Sequence, residues 1–201
     1  MKAPRVAILD YGSGNLHSVS RAIARVGGDP VVTGDGATVD GADALVIPGV
    51  GHFGHCMRAI VERGHDETIR GFEASGRPMF GVCVGMQVLF EASDEDTGPG
   101  LGILPGRVRA IPDAVKVPHM GWNTVTWTRD HPYVRGLDGA RFYFVHSFAP
   151  EPADSTLGIT EYGAPFAAAS SSGGTFATQF HPEKSAEAGL HVYENFVKAL
   201  S

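Results

Sequence analysis

An α/β fold is predicted, with a mostly parallel central sheet flanked by helices and additional antiparallel strands in the second half. Two observations predict it. The first half alternates short apolar strand segments with helices of 3.6-residue periodicity, and β-α-β crossovers of this kind lay parallel strands in one sheet with helices on both faces. The second half is a succession of short strand patterns broken by Gly, Pro and Ser and closed by one amphipathic helix.

Residues 5–10 form an apolar strand interrupted by Asp10. Residues 15–26 carry Leu16, Val19, Ile23 and Val26 at helical spacing, and Gly27-Gly28 ends that helix. Residues 30–33 and 44–48 are strands; 54–75 are helical with a break near Gly64. Residues 79–82 are a short buried strand entered through Pro78, and a helix follows over 84–91. The acidic, glycine-bearing stretch 94–100 reads as a surface loop. Strands are expected at 107–111, 124–127, 141–146, 157–162, 166–170 and 175–179, with a hairpin turn at Ser171-Ser172-Gly173-Gly174. Residues 187–200 form the closing helix. No repeat, low-complexity tract or linker intervenes, so residues 1–201 read as one domain, large enough for a continuous core.

Composition narrows the function classes. A formal net charge of −6 argues against a nucleic-acid footprint. No run of ~18 apolar residues provides a membrane span, and the first residues do not read as a signal peptide. Two cysteines in 201 residues suggest a reducing cytoplasm rather than a disulfide scaffold. His52, His55 and Cys56 lack a fourth ligand at a usual spacing, so they read as helix-surface residues and no metal is expected. Gly12-Ser13-Gly14 is too short for a dinucleotide loop, and no cofactor is expected.

The chemistry lies in two segments almost a hundred residues apart. Gly81-Val82-Cys83-Val84-Gly85 is the cysteine version of a strand-to-helix nucleophile elbow. Its glycines allow a tight turn around a strained residue and close approach of neighbouring backbone. A cysteine there sits at a helix N-terminus, whose positive end favours the reactive thiolate. The second segment is Thr178-Gln179-Phe180-His181-Pro182-Glu183-Lys184-Ser185. If extended, it aims His181 and Glu183 to one face. The carboxylate then orients one ring nitrogen and leaves the other for Cys83, as in a nucleophile–base–orienter triad. A buried structural cysteine and a strand-end histidine are the plain readings of either segment alone.

Together, G-x-C-x-G-x-Q and a late H-P-E resemble the class I (triad) glutamine amidotransferases, a flavodoxin-like family, over the whole chain. Within that family, five further segments are similar to the glutaminase subunits of imidazole glycerol phosphate synthases. They are Asp10-Tyr11-Gly12-Ser13-Gly14-Asn15-Leu16, Ile47-Pro48-Gly49-Val50-Gly51-His52-Phe53, Val117-Pro118-His119-Met120-Gly121-Trp122-Asn123, Tyr143-Phe144-Val145-His146-Ser147 and His181-Pro182-Glu183-Lys184-Ser185. His52, Phe148 and Val84 depart from the common pattern, none of them at a triad position.

The resemblance implies that Cys83, His181 and Glu183 hydrolyse the side-chain amide of L-glutamine. It implies oxyanion donors among the backbone N–H groups of Val50, Gly51 and Val84, and substrate contacts from Gln87, Ser147 and Phe148. It also implies a partner that consumes the ammonia, a cyclase subunit with a (β/α)8 barrel forming a heterodimer with this chain. Asn15, Trp122, in a Gly/Pro-rich segment, and Lys184, directly after Glu183, are expected to face it; a core Trp122 and a solvated Lys184 are the plain alternative. A glutaminase of another pathway, anthranilate or purine synthesis, and a non-catalytic protein on the same fold remain alternatives at this level.

Overall fold

The computed structural model describes residues 3–200. Eight strands form one mixed sheet. Its first strands are β1 (Arg5–Leu9), β2 (Asp29–Thr33), β3 (Ala44–Gly49) and β4 (Met79–Cys83). Between them run the helices α1 (Leu16–Arg25), α2 (Gly36–Asp40), α3 (Phe53–Glu62) and α4 (His65–Ala74). Gly64 is the break expected within 54–75: it stands at φ 69 between α3 and α4, a conformation glycine adopts without a Cβ clash. The short helix α2 is an addition to the elements that the sequence predicts. It is capped by the Asp35 carboxylate, which accepts from Thr38 N–H at 2.9 Å.

The chain leaves β4 through α5 (Val84–Gln87) into β5 (Ala92–Ser93), β6 (Asp96–Pro99) and β7 (Arg107–Ala110). Two expectations fail here. The helix predicted over 84–91 is a single turn. The carbonyls of Val88, Leu89, Phe90 and Glu91 accept N–H groups from residues 100–104, which replace the next helical turn. The stretch 94–100 is not a free loop but largely a strand, β6, paired antiparallel with β5. Its acidic residues have local partners: Asp94 meets Arg107 at 2.6 Å, Asp96 meets Arg58 at 3.3 Å, and Glu95 Oε2 accepts the Phe53 N–H at 2.7 Å at the start of α3.

The second half is strand-rich as predicted: β8 (His119–Thr124), β9 (Thr126–Trp127), β10 (Arg141–His146), β11 (Phe148–Pro150), β12 (Thr156–Tyr162), β13 (Ala164–Ser172) and β14 (Thr175–Thr178), then α6 (Ala186–Lys198). The strand expected at 124–127 is divided. Thr124 ends β8, which pairs with β10, whereas β9 joins the main sheet beside β12. The Gly173-Gly174 turn links β13 to β14, with Ser172 opposite Thr175.

The main sheet runs β2-β1-β3-β4-β14-β13-β12-β9. It is parallel from β2 to β14 and antiparallel beyond. β11, β7, β5 and β6 make a second, smaller sheet. The four strands β1, β3, β4 and β14 are buried along nearly their whole length, as strands covered on both faces must be. Ligand crevices in such sheets open at the carboxyl ends of the strands, and β3, β4 and β14 deliver Pro48-Gly49, Cys83 and the segment leading to His181 to that one edge.

Candidate active site

Cys83 ends β4 and caps α5 at φ 55, ψ −114, a region that side-chain-bearing residues rarely occupy. Such a residue costs on the order of 1–3 kcal/mol and persists only where its surroundings over-determine it. The surroundings here are backbone. A Cβ on Gly85 would overlap the Ile47 carbonyl, one on Gly49 would overlap Gly85 N, and one on Gly81 would stand 2.8 Å from the Gly85 carbonyl. The end of β3 and the turn that carries Cys83 therefore lie in direct main-chain contact.

His181 and Glu183 reach the site by a different route from the one expected. The segment is not extended: Pro182–Lys184 is a 3-10 turn with Pro182 at its first position and His181 as its cap. The turn is tied down by Ser185 Oγ, which donates to the His181 carbonyl at 2.6 Å and accepts the Tyr143 N–H at 2.9 Å. The result still pairs the two side chains, with His181 Nδ1 2.8 Å from Glu183 Oε1, both buried. Asn15 Nδ2 donates to that same oxygen at 3.4 Å. Burial pushes the His181 imidazolium down, but the hydrogen bond and charge of Cys83, with those of Glu183, outweigh it and hold His181 up at about 10.

A cavity of about 240 Å³ contains Cys83 and His181. Val50, Gly51, Val84, Gln87, Ser147, Phe148 and Lys184 line it, as do three residues to which the sequence reading gave no site role: Glu95, Val145 and His146. Glu183 and Asn15 lie behind the lining, and Trp122 stands apart from it on β8, 45% exposed. Gln87 donates both of its amide protons, to the Phe148 carbonyl at 2.9 Å and to Gln179 Oε1 at 3.0 Å, so only its own Oε1 has capacity for another donor. Gln179 Nε2 in turn faces Cys83 Sγ at 3.7 Å. Sequence reasoning misses Gln179, just past the end of β14, because a lone glutamine carries no signal of its own.

The segment at the end of β3 is held from behind. Tyr11 Oη donates to the Pro48 carbonyl at 2.7 Å. Ser13 Oγ donates to the Val50 carbonyl at 2.9 Å and accepts the Val50 N–H at 3.4 Å. Cys56 Sγ lies 3.5 Å from both Ser13 Oγ and the Val50 carbonyl. This corrects the reading of Cys56 as a helix-surface residue. It is fully buried under residue 50, on the inner side of α3, and burial pushes its thiol up. His52 and His55 are exposed, and His52 caps α3 through its Nδ1, which accepts the Gly54 N–H at 3.1 Å. No helix among the described residues is long and apolar enough to cross a membrane.

The family model for glutamine amidotransferase class-I matches residues 7–200. The chain belongs to the class-I glutamine amidotransferase family. It is a cysteine-dependent amidotransferase enzyme, and the resemblance drawn from its motifs stands. Among its relatives, the imidazole glycerol phosphate synthase subunit HisH of Methanothermobacter thermautotrophicus is 47% identical over 197 residues, covering 97% of this chain and 98% of that one. The HisH subunit of Aromatoleum aromaticum is 48% identical over 206 residues, covering 96% and 97%. PurLQS from Thermotoga maritima, a solved structure, shares the fold at low identity. It superposes with a TM-score of 0.78 at 19% identity, covering all of both chains.

The charge on His181 has a testable origin. A histidine held up at about 10, against 6.5 when free, contributes stability that is full below about 6.5 and is lost as pH rises through about 10. In Glu183→Gln, the anion is gone and the midpoint of the His181 ring signals, followed by NMR, falls. A midpoint unmoved or raised contradicts the pairing.

Proposed function

We propose that this enzyme is the glutaminase subunit of an imidazole glycerol phosphate synthase, with Cys83, His181 and Glu183 as its catalytic triad. The observation that carries the reading is the convergence of Cys83 and the buried His181–Glu183 pair on one cavity of amino-acid size. The near-full-length identity to HisH subunits supports the choice of pathway over anthranilate or purine synthesis.

In this reading Cys83 sulfur attacks the carboxamide carbon of L-glutamine. The C–N bond breaks, and the His181 imidazolium gives its proton to the departing ammonia. A thioester remains. Water then attacks it, His181 takes the water's proton, the C–S bond breaks and glutamate leaves. Val84 N–H, at the first position of α5 where no intrahelical acceptor exists, is one oxyanion donor. The peptide N–H groups at Val50 and Gly51 supply the other. Gln87, Ser147 and Phe148 frame the substrate.

Ammonia freed into water would be protonated and lost, so a consumer must sit against the site. The proposed partner is a (β/α)8-barrel cyclase subunit that makes imidazole glycerol phosphate and the aminoimidazole carboxamide ribonucleotide. Asn15, Trp122 and Lys184 are proposed to face it. The outward face of β8 supports this: Met120 is 63% and Trp122 45% exposed, and Met120 is opposite the cavity-lining Val145 of β10. Exposed aromatic and methionine side chains next to a site are the composition of an interface core.

The hold on Val50 gives this reading a resting state. The Val50 N–H points at Ser13 Oγ rather than being free to meet an oxyanion, and the Val50 carbonyl is bound by the same hydroxyl. Rotation of the peptide between Gly49 and Val50 would release the donor, and one oxyanion donor accounts for roughly a hundred- to thousandfold in rate. Partner binding is proposed to drive that rotation.

Two experiments follow. Cys83→Ala abolishes glutamine-dependent synthesis by the reconstituted complex and spares synthesis from ammonium salts; loss of both, or of neither, contradicts the triad. Ser13→Ala raises glutamine turnover by the chain without its partner and narrows the activation on adding cyclase and its nucleotide ligand. Equal activation ratios for wild type and variant would sink the resting-state argument and leave the triad intact.

A further inference from the structure

β8 and β10 bury two histidines that the hydrolysis does not use. His119 opens β8, His146 closes β10, and the two stand opposite each other in register. Their hydrogen bonds have a direction. Asn123 Oδ1 accepts the Thr124 N–H at 2.8 Å and Asn123 Nδ2 donates to the Glu161 carbonyl at 3.2 Å, which sets the amide's orientation. That Nδ2 also lies 3.4 Å from His119 Nε2, which must accept. A neutral imidazole carries one N–H, so His119 Nδ1 holds it and donates across 3.0 Å to His146 Nε2. His146 Nδ1 then donates to the Phe148 carbonyl at 3.0 Å.

The far end demands the same answer independently, because a carbonyl oxygen only accepts. An extra proton on either ring would set donor against donor. Burial, which disfavours the imidazolium, holds His119 down at about 4 and, with the charges of His119 and His181, holds His146 at about 3. Both rings are neutral at neutral pH, as the row requires.

The row ends at the nucleophile. The Phe148 carbonyl takes its second hydrogen bond from Gln87, Gln87 holds Gln179, and Gln179 faces Cys83 Sγ. We propose that His119 and His146 are positioning residues for glutamine hydrolysis. They fix the Phe148 carbonyl, through it the Gln87–Gln179 pair against Cys83, and so tie the site to the strand whose outer face carries Met120 and Trp122. This rests on the glutaminase reading above.

A purely structural role is the rival, since the His119 ring stacks on Tyr162 at 4.0 Å and on Phe144 at 4.9 Å. Two substitutions make the roles predict opposite orders. His119→Phe keeps the stack and removes both ring nitrogens. His119→Gln gives up the stack but retains one acceptor for Asn123 and one donor for His146. Steady-state L-glutamine hydrolysis is measured for each full-length chain in complex with the cyclase, with thermal midpoints in parallel. The relay predicts that His119→Phe raises KM and lowers kcat/KM by about tenfold, the equivalent of one lost hydrogen bond, and that His119→Gln, although less stable, stays closer to wild type. The relay is overturned if His119→Phe matches wild type, or if activity follows stability, with His119→Gln the poorer enzyme. A wild-type complex that hydrolyses no glutamine overturns the underlying reading itself; wild-type turnover with insensitive variants overturns only the relay.

Discussion

Main-chain contact between the end of β3 and the start of α5 is the constraint on which the site depends. Gly49, Gly81 and Gly85 meet where no Cβ fits. The contact sets the spacing between the strand that bears Val50 and the turn that bears Cys83, and it leaves no side chain whose rotamers could loosen that spacing. It also explains how the backbone of Cys83 persists at φ 55. A close-packed interior resists local relaxation, and here the packing is polypeptide against polypeptide. The geometry around Cys83 is thus inherited from sheet assembly rather than from a flexible loop.

Around that contact the polar groups divide into two sets. One surrounds the Cys83 sulfur: the His181–Glu183 pair, locked by a 3-10 turn that Ser185 ties to β10, and the Gln87–Gln179 pair behind Cys83. The other holds residues 48–50 from behind through Tyr11, Ser13 and Cys56. A buried charged pair is costly to desolvate and strongly destabilising when half is removed. Among the described residues, the second buried oxygen of Glu183, Oε2, has no hydrogen-bond partner.

What was legible in the sequence was what has a period or a motif. The parallel half was readable because its strands are continuous apolar runs and its helices are amphipathic. The turns that carry Cys83 and His181 were readable because glycines and a proline mark them. What failed was decided by contacts distant in sequence. The helix after Cys83 stops after one turn because residues 100–104 take the carbonyls of Val88–Glu91 that follow it, and a run such as Val88-Leu89-Phe90 looks helical without that information. Cys56 looked like a surface residue because its partners, Ser13 and Val50, come from other elements. The division of 124–127 between two sheets, and the direction of the His119–His146 row, depend on strand pairing that no local pattern encodes.

The proposed function requires that Cys83, and not the other buried thiol 27 positions earlier at Cys56, bonds to glutamine. The most direct test is to treat the protein with a diazoketone analogue of glutamine and locate the adduct by peptide mass mapping. The expected result is a single adduct on the peptide containing Cys83, prevented by excess L-glutamine, with Cys56 unmodified. An adduct on Cys56, or labelling of Cys83 that glutamine does not prevent, would contradict it.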